Sequence, residues 1–348
     1  MVERRSAVKA STSGAGGSLV LPLLGLAIVA LVLTALSVGP YPLPVDEAVG
    51  LLLDRALGGA ASGSAEETVL FAIRLPRVAA ALVVGAALAA AGTAYQGMFR
   101  NPLVSPDILG VSAGAGLGAV LGIFLSLPVV AIQAAAFLGG LAAVATVALL
   151  ATLVRGRDTV LVLVLAGVVV GALAGAGTSL LKVLADPYDQ LPAITFWLLG
   201  SLAGIKGEDL YSTLPAVTVA ILPLALLRWR INVLAMGDEE AQALGVDATK
   251  LRLAVIGCAT LMTAAVVSIS GVVGWVGLVI PHIARMVVGP NFGTLLPAAL
   301  VMGAGYMLLV DTLARSIAST EVPLGILTAI IGAPVFIWLL ARGRRGWT

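Results

Sequence analysis

The stretch TVLVLVLAGVVVGALAGAGTSLL, residues 159–181, contains no charged side chain over 23 positions. About 20 apolar residues in a helix are enough to cross the hydrocarbon core of a bilayer. Because lipid cannot satisfy backbone N–H and C=O groups, such runs are expected to be helical. Similar runs lie near residues 19–38, 78–98, 106–126, 128–154, 159–184, 211–229, 251–270, 272–288, 295–318 and 323–341. The sequence therefore predicts an all-α integral membrane protein with ten transmembrane helices.

The composition excludes a soluble globular protein. Of the 348 residues, 60% are apolar and only 11% are charged, which leaves too little polar surface for a domain dissolved in water. We expect a cytoplasmic N-terminal tail over residues 1–18, a ten-helix transmembrane domain over 19–341 and a cytoplasmic C-terminal tail over 342–348. The first apolar run is too long for the core of a signal peptide, so we expect an uncleaved span.

The distribution of Lys and Arg predicts the orientation, because these residues are retained on the cytoplasmic side. If the N-terminus is inside, fourteen of the 20 basic residues lie in inner segments and six in outer ones. The inner group consists of Arg4, Arg5, Lys9, Arg100, Arg155, Arg157, Arg228, Arg230, Lys250, Arg252, Arg285, Arg342, Arg344 and Arg345. The outer group consists of Arg55, Arg74, Arg77, Lys182, Lys206 and Arg315. Both termini are then cytoplasmic, and the long connections near 39–77 and 185–210 face outward.

Glycine recurs at every fourth position in two predicted helices. The positions are Gly110, Gly114, Gly118 and Gly122 in one helix and Gly167, Gly171 and Gly175 in the other. Such ladders let helix backbones approach closely when lipid offers no hydrophobic drive for association. Plain bundle packing and a mobile helix that lines a path both fit this pattern.

One predicted inner connection, MGDEEAQALGV at residues 236–246, has the composition of a short surface helix. Asp238 is a favourable N-cap and Gly245 a favourable stop. Glu239 and Glu240 suit the positive end of the helix dipole. A helix of about two turns is not stable alone in water, so it must dock on something. It offers a small apolar face, which could rest on the protein's own inner surface or on a cytoplasmic partner, formed by Ala241, Leu244 and Val246.

Three arginines lie at predicted outer ends of spans. Arg74 and Arg77 oppose the dipole of the helix that they begin, so they favour an anionic neighbour or an interfacial position for their head groups. Asp311 and Arg315 lie one helical turn apart, and charges inside a span are usually paired or functional. We expect an internal Asp311–Arg315 pair, with Arg315 near enough to the outer face to reach a partner.

The sequence lacks the residue patterns that ATP binding, nucleic-acid binding and metal binding usually require. No Gly-x-x-x-x-Gly-Lys-[Ser/Thr] phosphate loop occurs, so the chain is not expected to bind ATP in that way or to be an enzyme. The net charge of +2, without a basic stretch interleaved with aromatics, predicts no nucleic-acid partner. His282 and Cys258 are each the only residue of their type, and neither belongs to a metal-binding cluster. We expect no metal and no cofactor, a hydrogen-bonded structural role for His282 and a buried apolar role for Cys258.

A set of motifs runs through the chain from about residue 65 to the end. The motifs are Arg74-Leu-Pro-Arg77; Gln96 through Arg100-Asn-Pro-Leu-Val-Ser-Pro106 and Ile108-Leu-Gly-Val-Ser-Ala-Gly114; Trp197-Leu-Leu-Gly-Ser201; Asn232-Val-Leu through Gly245-Val246; Gly277 to Arg285; and Glu321-Val-Pro-Leu-Gly325 followed by Gly332-Ala-Pro334. In order and spacing, this set closely resembles the permease subunits of bacterial importers for iron-siderophore complexes, haem and vitamin B12. The first 64 residues match only as a generic first span.

The resemblance implies the type II ATP-binding cassette (ABC) importer permease fold. It also implies a dimer, of two identical copies or of this chain with a paralogue, with two cytoplasmic ATPase subunits and an external substrate-binding lipoprotein. In that family the matching inner loop engages the ATPase, which assigns this role to Gly237, Asp238, Glu239, Glu240, Ala241, Leu244 and Gly245. The arginines that would receive acidic residues of the binding protein are Arg74, Arg77 and Arg315. The fifth and tenth spans would line the path, with an inner gate near Thr159, Val160 and Leu161.

The sequence thus predicts a permease subunit in the cytoplasmic membrane, driven by ATP that a separate chain hydrolyses. A ferric siderophore is the expected cargo, with haem and cobalamin as the other candidates. A self-sufficient secondary carrier or channel is the alternative, and a membrane enzyme is a third reading. A proton-coupled carrier would need carboxylates inside its spans, and these are scarce here.

Overall fold

The structure, a computed structural model, describes residues 16–39, 41–59, 63–154, 159–318 and 320–342. Within these ranges the chain forms fifteen α-helices, a π-helical turn (Val69–Arg74), a 3₁₀ turn (Pro106–Leu109) and no β-strand. The first seven helices are α1 (Gly16–Ser37), α2 (Val45–Ala56), α3 (Ala65–Thr68), α4 (Leu75–Phe99), α5 (Val111–Phe124), α6 (Val129–Leu153) and α7 (Thr159–Leu184). The others are α8 (Gln190–Leu199), α9 (Gly207–Leu226), α10 (Arg228–Leu234), α11 (Asp238–Ala243), α12 (Ala248–Ser270), α13 (Val276–Val288), α14 (Phe292–Ala314) and α15 (Leu324–Arg342). The predicted all-α class is confirmed.

Seven helical segments of the described ranges are long and apolar enough to cross a membrane. One runs unbroken from Ala65 to Phe99, because the π-helical turn joins α3 to α4. Helices α5, α8, α13 and the segment Leu324–Leu339 of α15 are apolar but shorter. Each of the ten predicted apolar segments overlaps a helix, yet ten crossings and cytoplasmic termini remain predictions. Most of the two predicted tails, residues 1–15 and 343–348, lies outside the described residues.

Helix α4 lies at the centre of the bundle. In its apolar segment 78% of the residues are buried, against 28% in α6, α7 and α9. Two glycines of α4 touch the backbone of neighbouring helices. A Cβ on Gly85 would lie 2.1 Å from the carbonyl oxygen of Gly303 in α14, and one on Gly92 would lie 1.9 Å from that of Gly277 in α13. Only glycine permits these contacts, because no real Cβ approaches a backbone oxygen so closely.

The contact between α4 and α14 also sets their register. The two helices run antiparallel, and Arg77 precedes Gly85 by eight residues while Asp311 follows Gly303 by eight. Equal offsets along helices of the same rise bring side chains to the same depth. The contact therefore places Arg77 opposite Asp311, near the predicted outer end of the bundle.

The two glycine ladders have different surroundings. A Cβ on Gly114 or Gly118 would meet the carbonyl oxygen of Gly139 or Ala135 in α6 at 2.4 or 2.1 Å, so this ladder packs two helices together. In α7, Gly167 likewise packs against the 3₁₀ turn, where its Cβ would lie 2.2 Å from the carbonyl oxygen of Ile108. A Cβ on Gly171 or Gly175 would meet nothing within 4 Å. The second ladder is thus half packed and half open.

The α4–α14 contact generates a direct test. We expect Gly85→Ala to prevent normal folding, because its methyl group would overlap the backbone of Gly303. The matched control is Gly257→Ala on the exposed face of α12, where an added Cβ meets nothing within 4 Å. This change should be neutral or stabilising by up to about 1 kcal/mol, the helix preference of Ala over Gly. Yield and thermal unfolding of the detergent-solubilised protein measure both. Equal stability of the two variants would contradict the backbone contact.

Candidate functional site

A buried charge cluster lies where α4 begins and α14 ends, at the predicted outer end of the bundle. The Nε of Arg77 donates to Asp311 Oδ1 and Oδ2 at 3.0 and 3.1 Å, and its Nη2 donates to Oδ1 at 2.9 Å. The same guanidinium donates to both carboxylate oxygens of Glu321, at 2.8 and 2.9 Å. Ser201 Oγ donates to Glu321 at 2.9 Å, so the segment after α8 joins the cluster. Asp311 is fully buried, so these donors replace the water that its charge has lost.

Arg74 and Arg315 bind the C-terminal end of α1. Arg74 donates to the carbonyl oxygens of Leu36, Ser37 and Tyr41, and the bond to Ser37 is 3.0 Å long. Arg315 donates to the carbonyl oxygens of Ala35 and Val38, the latter at 2.7 Å. The last carbonyls of a helix have no partner within the helix and carry partial negative charge. The two arginines therefore supply the C-terminal cap of α1.

The structure corrects two expectations about these charges. The i,i+4 pair with Arg315 is not the main contact of Asp311. The carboxylate of Asp311 accepts hydrogen bonds from Arg77, whereas Arg315 Nε lies 3.8 Å from Oδ2. Arg74 finds backbone carbonyls rather than an anionic side chain. Equal spacing from the glycines of α4 and α14 is the sequence signal that could have identified the Arg77–Asp311 pair. No signal in the sequence points to the end of α1.

These residues border a cavity of about 400 Å³. Its wall includes Tyr41, Ile73, Arg74, Arg77, Arg315 and Glu321. With Asp311 below the wall, three guanidinium groups face two carboxylates, which leaves one formal positive charge in excess. The side chains of Arg77 and Arg315 are only 11% and 8% exposed. The arrangement can accept a small number of acidic groups that enter the cavity, but it is not an open basic surface.

The predicted inner helix is present as α11. Gly237 occupies the N-cap position, and Asp238 is the first helical residue, so the prediction of Asp238 as N-cap is wrong. Its carboxylate instead accepts hydrogen bonds from Arg252 of α12 at 2.6 and 2.9 Å. These bonds hold the pKa of Asp238 below its usual value. The pair therefore stabilises the fold above the ordinary pKa range of aspartate and is lost as the pH falls through the lowered value.

The end of α11 has the hydrogen bonds of a Schellman motif. The N–H of Val246 donates to Ala241 O at 2.8 Å and that of Gly245 to Gln242 O at 3.0 Å, with Gly245 at φ +75°. Ala241 and Val246 are buried against the rest of the chain, whereas Leu244 is 52% exposed. The predicted apolar face is therefore divided: two residues fix the helix to its own protein, and the third points outward.

The remaining predicted site residues are placed as follows. Helix α7 begins at Thr159, with Val160 half-buried and Leu161 49% exposed at its first turn. Their gate role stays a prediction, and residues 155–158 before them lie outside the described residues.

His282 is half-buried, and its Nδ1 makes no hydrogen bond within the described ranges. Cys258 is half-buried rather than fully buried. No three His, Cys, Asp or Glu side chains converge on a possible metal position in the part of the chain that the structure describes.

Comparison with known proteins matches residues 26–342 to the FecCD transport family. A molybdate import permease of Haemophilus influenzae is 41% identical over 319 residues, which cover 91% of this chain and 94% of the relative. A probable iron chelatin transport permease of Helicobacter pylori is 42% identical and covers 79% of this chain and 83% of its own. A cobalamin import permease of Halobacterium salinarum is 43% identical, with 79% and 73% covered.

A solved structure shows the same fold. It is described as an inward-facing conformation of a metal-chelate type ABC transporter. That chain is 38% identical and superposes with a TM-score of 0.84, over 93% of this chain and 99% of the other.

The Arg77–Asp311 contact yields a prediction of stability. Asp311→Asn should destabilise the protein by about 3–5 kcal/mol, because it removes the fully buried carboxylate of the cluster and leaves Glu321 as the only carboxylate partner of Arg77 there. Glu208→Gln, at an exposed position in the first turn of α9, is the control and should change stability by less than about 0.5 kcal/mol. Thermal unfolding in detergent measures both. An unchanged transition for Asp311→Asn would show that Arg77 does not depend on this partner.

Proposed function

Because the chain belongs to the FecCD transport family, we propose that it is the permease subunit of an ATP-binding cassette importer in the cytoplasmic membrane. The observation that carries the proposal is the family match over residues 26–342, which leaves almost no helix of the bundle outside it. Relatives of similar length are import permeases. A carrier that works without partners has no support among them.

The proposed subunit crosses the membrane ten times with both termini inside. The ten helices that overlap the apolar segments support the count, and the excess of Lys and Arg in inner segments supports the orientation. A second copy of the chain, or a paralogue, would complete the path. Helix α7 supports this, because Leu161, Val168 and Leu173 are each about half exposed or more and need a covering surface, either lipid or protein.

The proposed contact with the ATPase is the exposed surface of α11. Ala241 and the Asp238–Arg252 pair fix the helix to the permease, so a push on its outer face reaches α12 directly. Leu244 presents an apolar side chain on that face, next to the acidic Glu239 and Glu240. A partner would need an apolar pocket rimmed by basic groups.

The proposed contact with the binding protein is the cavity at the outer end of α4. Its excess positive charge attracts acidic groups, and Arg74 and Arg315 line its wall. Because both arginines also cap α1, an acidic partner would share donors with the end of that helix rather than meet unpaired charges. The net gain for each contact is then small, because each new hydrogen bond is made partly at the expense of a bond to α1.

The cargo proposed for this chain is a metal chelate, with a ferric siderophore first and haem or cobalamin next. The names of the relatives support a chelate through iron chelatin and cobalamin, although the relative from Haemophilus influenzae imports molybdate. ATP hydrolysis would belong to two partner subunits.

The surface of α11 generates a prediction. Leu244→Asp should abolish co-purification with the partner ATPase, or leave hydrolysis uncoupled from uptake, because it places a charge in an apolar interface. The control is Leu57→Asp on the predicted outer side, where Leu57 is 86% exposed. Pull-down, ATP hydrolysis and uptake in proteoliposomes are the measurements. Normal coupled uptake by Leu244→Asp would place the ATPase elsewhere, and hydrolysis by the chain alone would refute the permease assignment.

The outer cavity generates another prediction. Arg74→Gln and Arg315→Gln should each weaken binding of the cognate binding protein by up to about fivefold, because glutamine keeps hydrogen-bond donors for α1 but loses the charge. The double variant should be weaker still, and the difference from wild type should shrink as salt rises.

The matched control is Arg55→Gln, whose side chain is 51% exposed in α2 on the same predicted face but outside the cavity. Surface plasmon resonance in nanodiscs measures the affinities. Binding that is unchanged in the double variant and insensitive to salt would exclude these arginines from the contact.

A further inference from the structure

A carboxylate lies at membrane depth in the 3₁₀ turn Pro106–Leu109. The carbonyl oxygen of Ile108 in this turn touches Gly167, which is eight residues, or about 12 Å, from the predicted inner end of α7. Pro106 touches Gly277, which is eleven residues, or about 16 Å, from the predicted inner end of α13. The hydrocarbon core is about 30 Å thick. Both contacts therefore put Asp107 near the middle of the membrane.

The side chain of Asp107 is accessible at this depth. It is an exposed residue of the turn, although its neighbours Pro106 and Leu109 are buried. Ser112 Oγ donates a hydrogen bond to Oδ1. Oδ2 has no hydrogen bond or ion pair within the described residues. One hydroxyl is thus all that the protein offers this carboxylate.

A carboxylate at this depth requires water or a polar partner. A charged side chain at the bilayer centre costs at least about 2.5–3.5 kcal/mol, and such residues face cavities or the interior of assemblies rather than lipid. A hydrogen bond to a charged group contributes about 1.5–3 kcal/mol, so the single bond from Ser112 does not offset desolvation of the whole group. Asp107 must therefore face an aqueous space or a second subunit.

The surface beside the turn is open. A Cβ on Gly110, the residue that ends the turn, would lie 3.5 and 3.7 Å from N and Cα of Gly171 in α7. On Gly171 itself an added Cβ meets nothing within 4 Å. The turn thus packs against α7 beside Gly171, and an open position of α7 lies next to the turn that carries the exposed carboxylate.

We propose that Asp107 lines the water-filled translocation path at mid-membrane and selects against anionic cargo. The inference rests on the proposed permease function and narrows its substrate class to a neutral or cationic chelate. A fixed charge in a narrow, low-dielectric passage raises the local concentration of ions of opposite sign and lowers that of ions of the same sign. Asp107 is in this sense a specificity-determining residue.

The test uses the full chain in nanodiscs, with Cys258→Ser removing the native thiol and Gly171→Cys as a reporter. The reporter reacts with methanethiosulfonate probes that carry either a trimethylammonium or a sulfonate group. With Asp107 present, the ratio of cationic to anionic labelling rates should be at least about tenfold higher than in Asp107→Asn. If Asp107→Asn does not purify as a single species, Asp107→Ser takes its place.

Two controls define the result. Asp186→Asn removes an exposed carboxylate near the predicted outer end of α7 and should leave the ratio unchanged. Leu138→Cys, at a 60% exposed position inside α6, should remain unlabelled because lipid covers it. A reporter at Gly171 that does not react shows a dry surface and overturns the proposal. A ratio that does not change in Asp107→Asn overturns it as well.

The labelling needs no ATP, cargo or ATPase, but the second permease copy must be present because it completes the path. If the protein that carries Asp107 shows no preference for the cationic probe but still binds its ATPase, the inference is refuted and the importer assignment stands. Failure to bind any ATPase, with charge selectivity retained, would refute the importer and leave an aqueous path lined by Asp107.

Discussion

The backbone contacts of α4 determine the geometry at the predicted outer end of this bundle. In lipid, helices gain nothing from burying apolar surface against each other, so close packing and polar contacts must hold them together. Gly85 and Gly92 bring α4 against α14 and α13 at distances that no other residue allows. The α4–α14 contact then sets the register in which Arg77 meets Asp311. A buried ion pair is favourable only when its geometry is good, so the outer cluster depends on the glycines two turns below it.

Apolar run length was enough to predict the helices, because lipid permits no other structure for such runs. The partners of the charges could not be predicted in the same way. Arg77 and Asp311 lie 234 residues apart in sequence, and only the crossing of two helices brings them together. Arg74 and Arg315 bind carbonyl groups, which every residue has and which no sequence pattern marks. Arginine spacing therefore indicated a site at the outer end but not what the arginines hold.

The short elements show a similar limit. Composition predicted a helix at residues 236–246 and its glycine stop, since capping and stop signals are local. It did not predict that Asp238 would be the first helical residue and accept hydrogen bonds from Arg252. Nor did it predict that Leu244 would be exposed while Ala241 and Val246 are buried. Those outcomes depend on α12, which packs beside the helix. Residues 106–126 were likewise read as one span, whereas Gly110, at φ +80°, separates the 3₁₀ turn from α5 and so exposes Asp107.

Asp311 and Asp107 show how position decides the role of one residue type. Asp311 is fully buried between Arg77 and Arg315, so its charge is neutralised locally and serves to hold helices together. Asp107 is exposed and receives a single hydroxyl, an arrangement that lipid would destabilise by several kcal/mol. If stability alone determined that position, serine or asparagine would meet the hydroxyl without the cost of a charge. A carboxylate at this position therefore points to something that passes or binds beside it, and the open face of α7 at Gly171 leaves room for that.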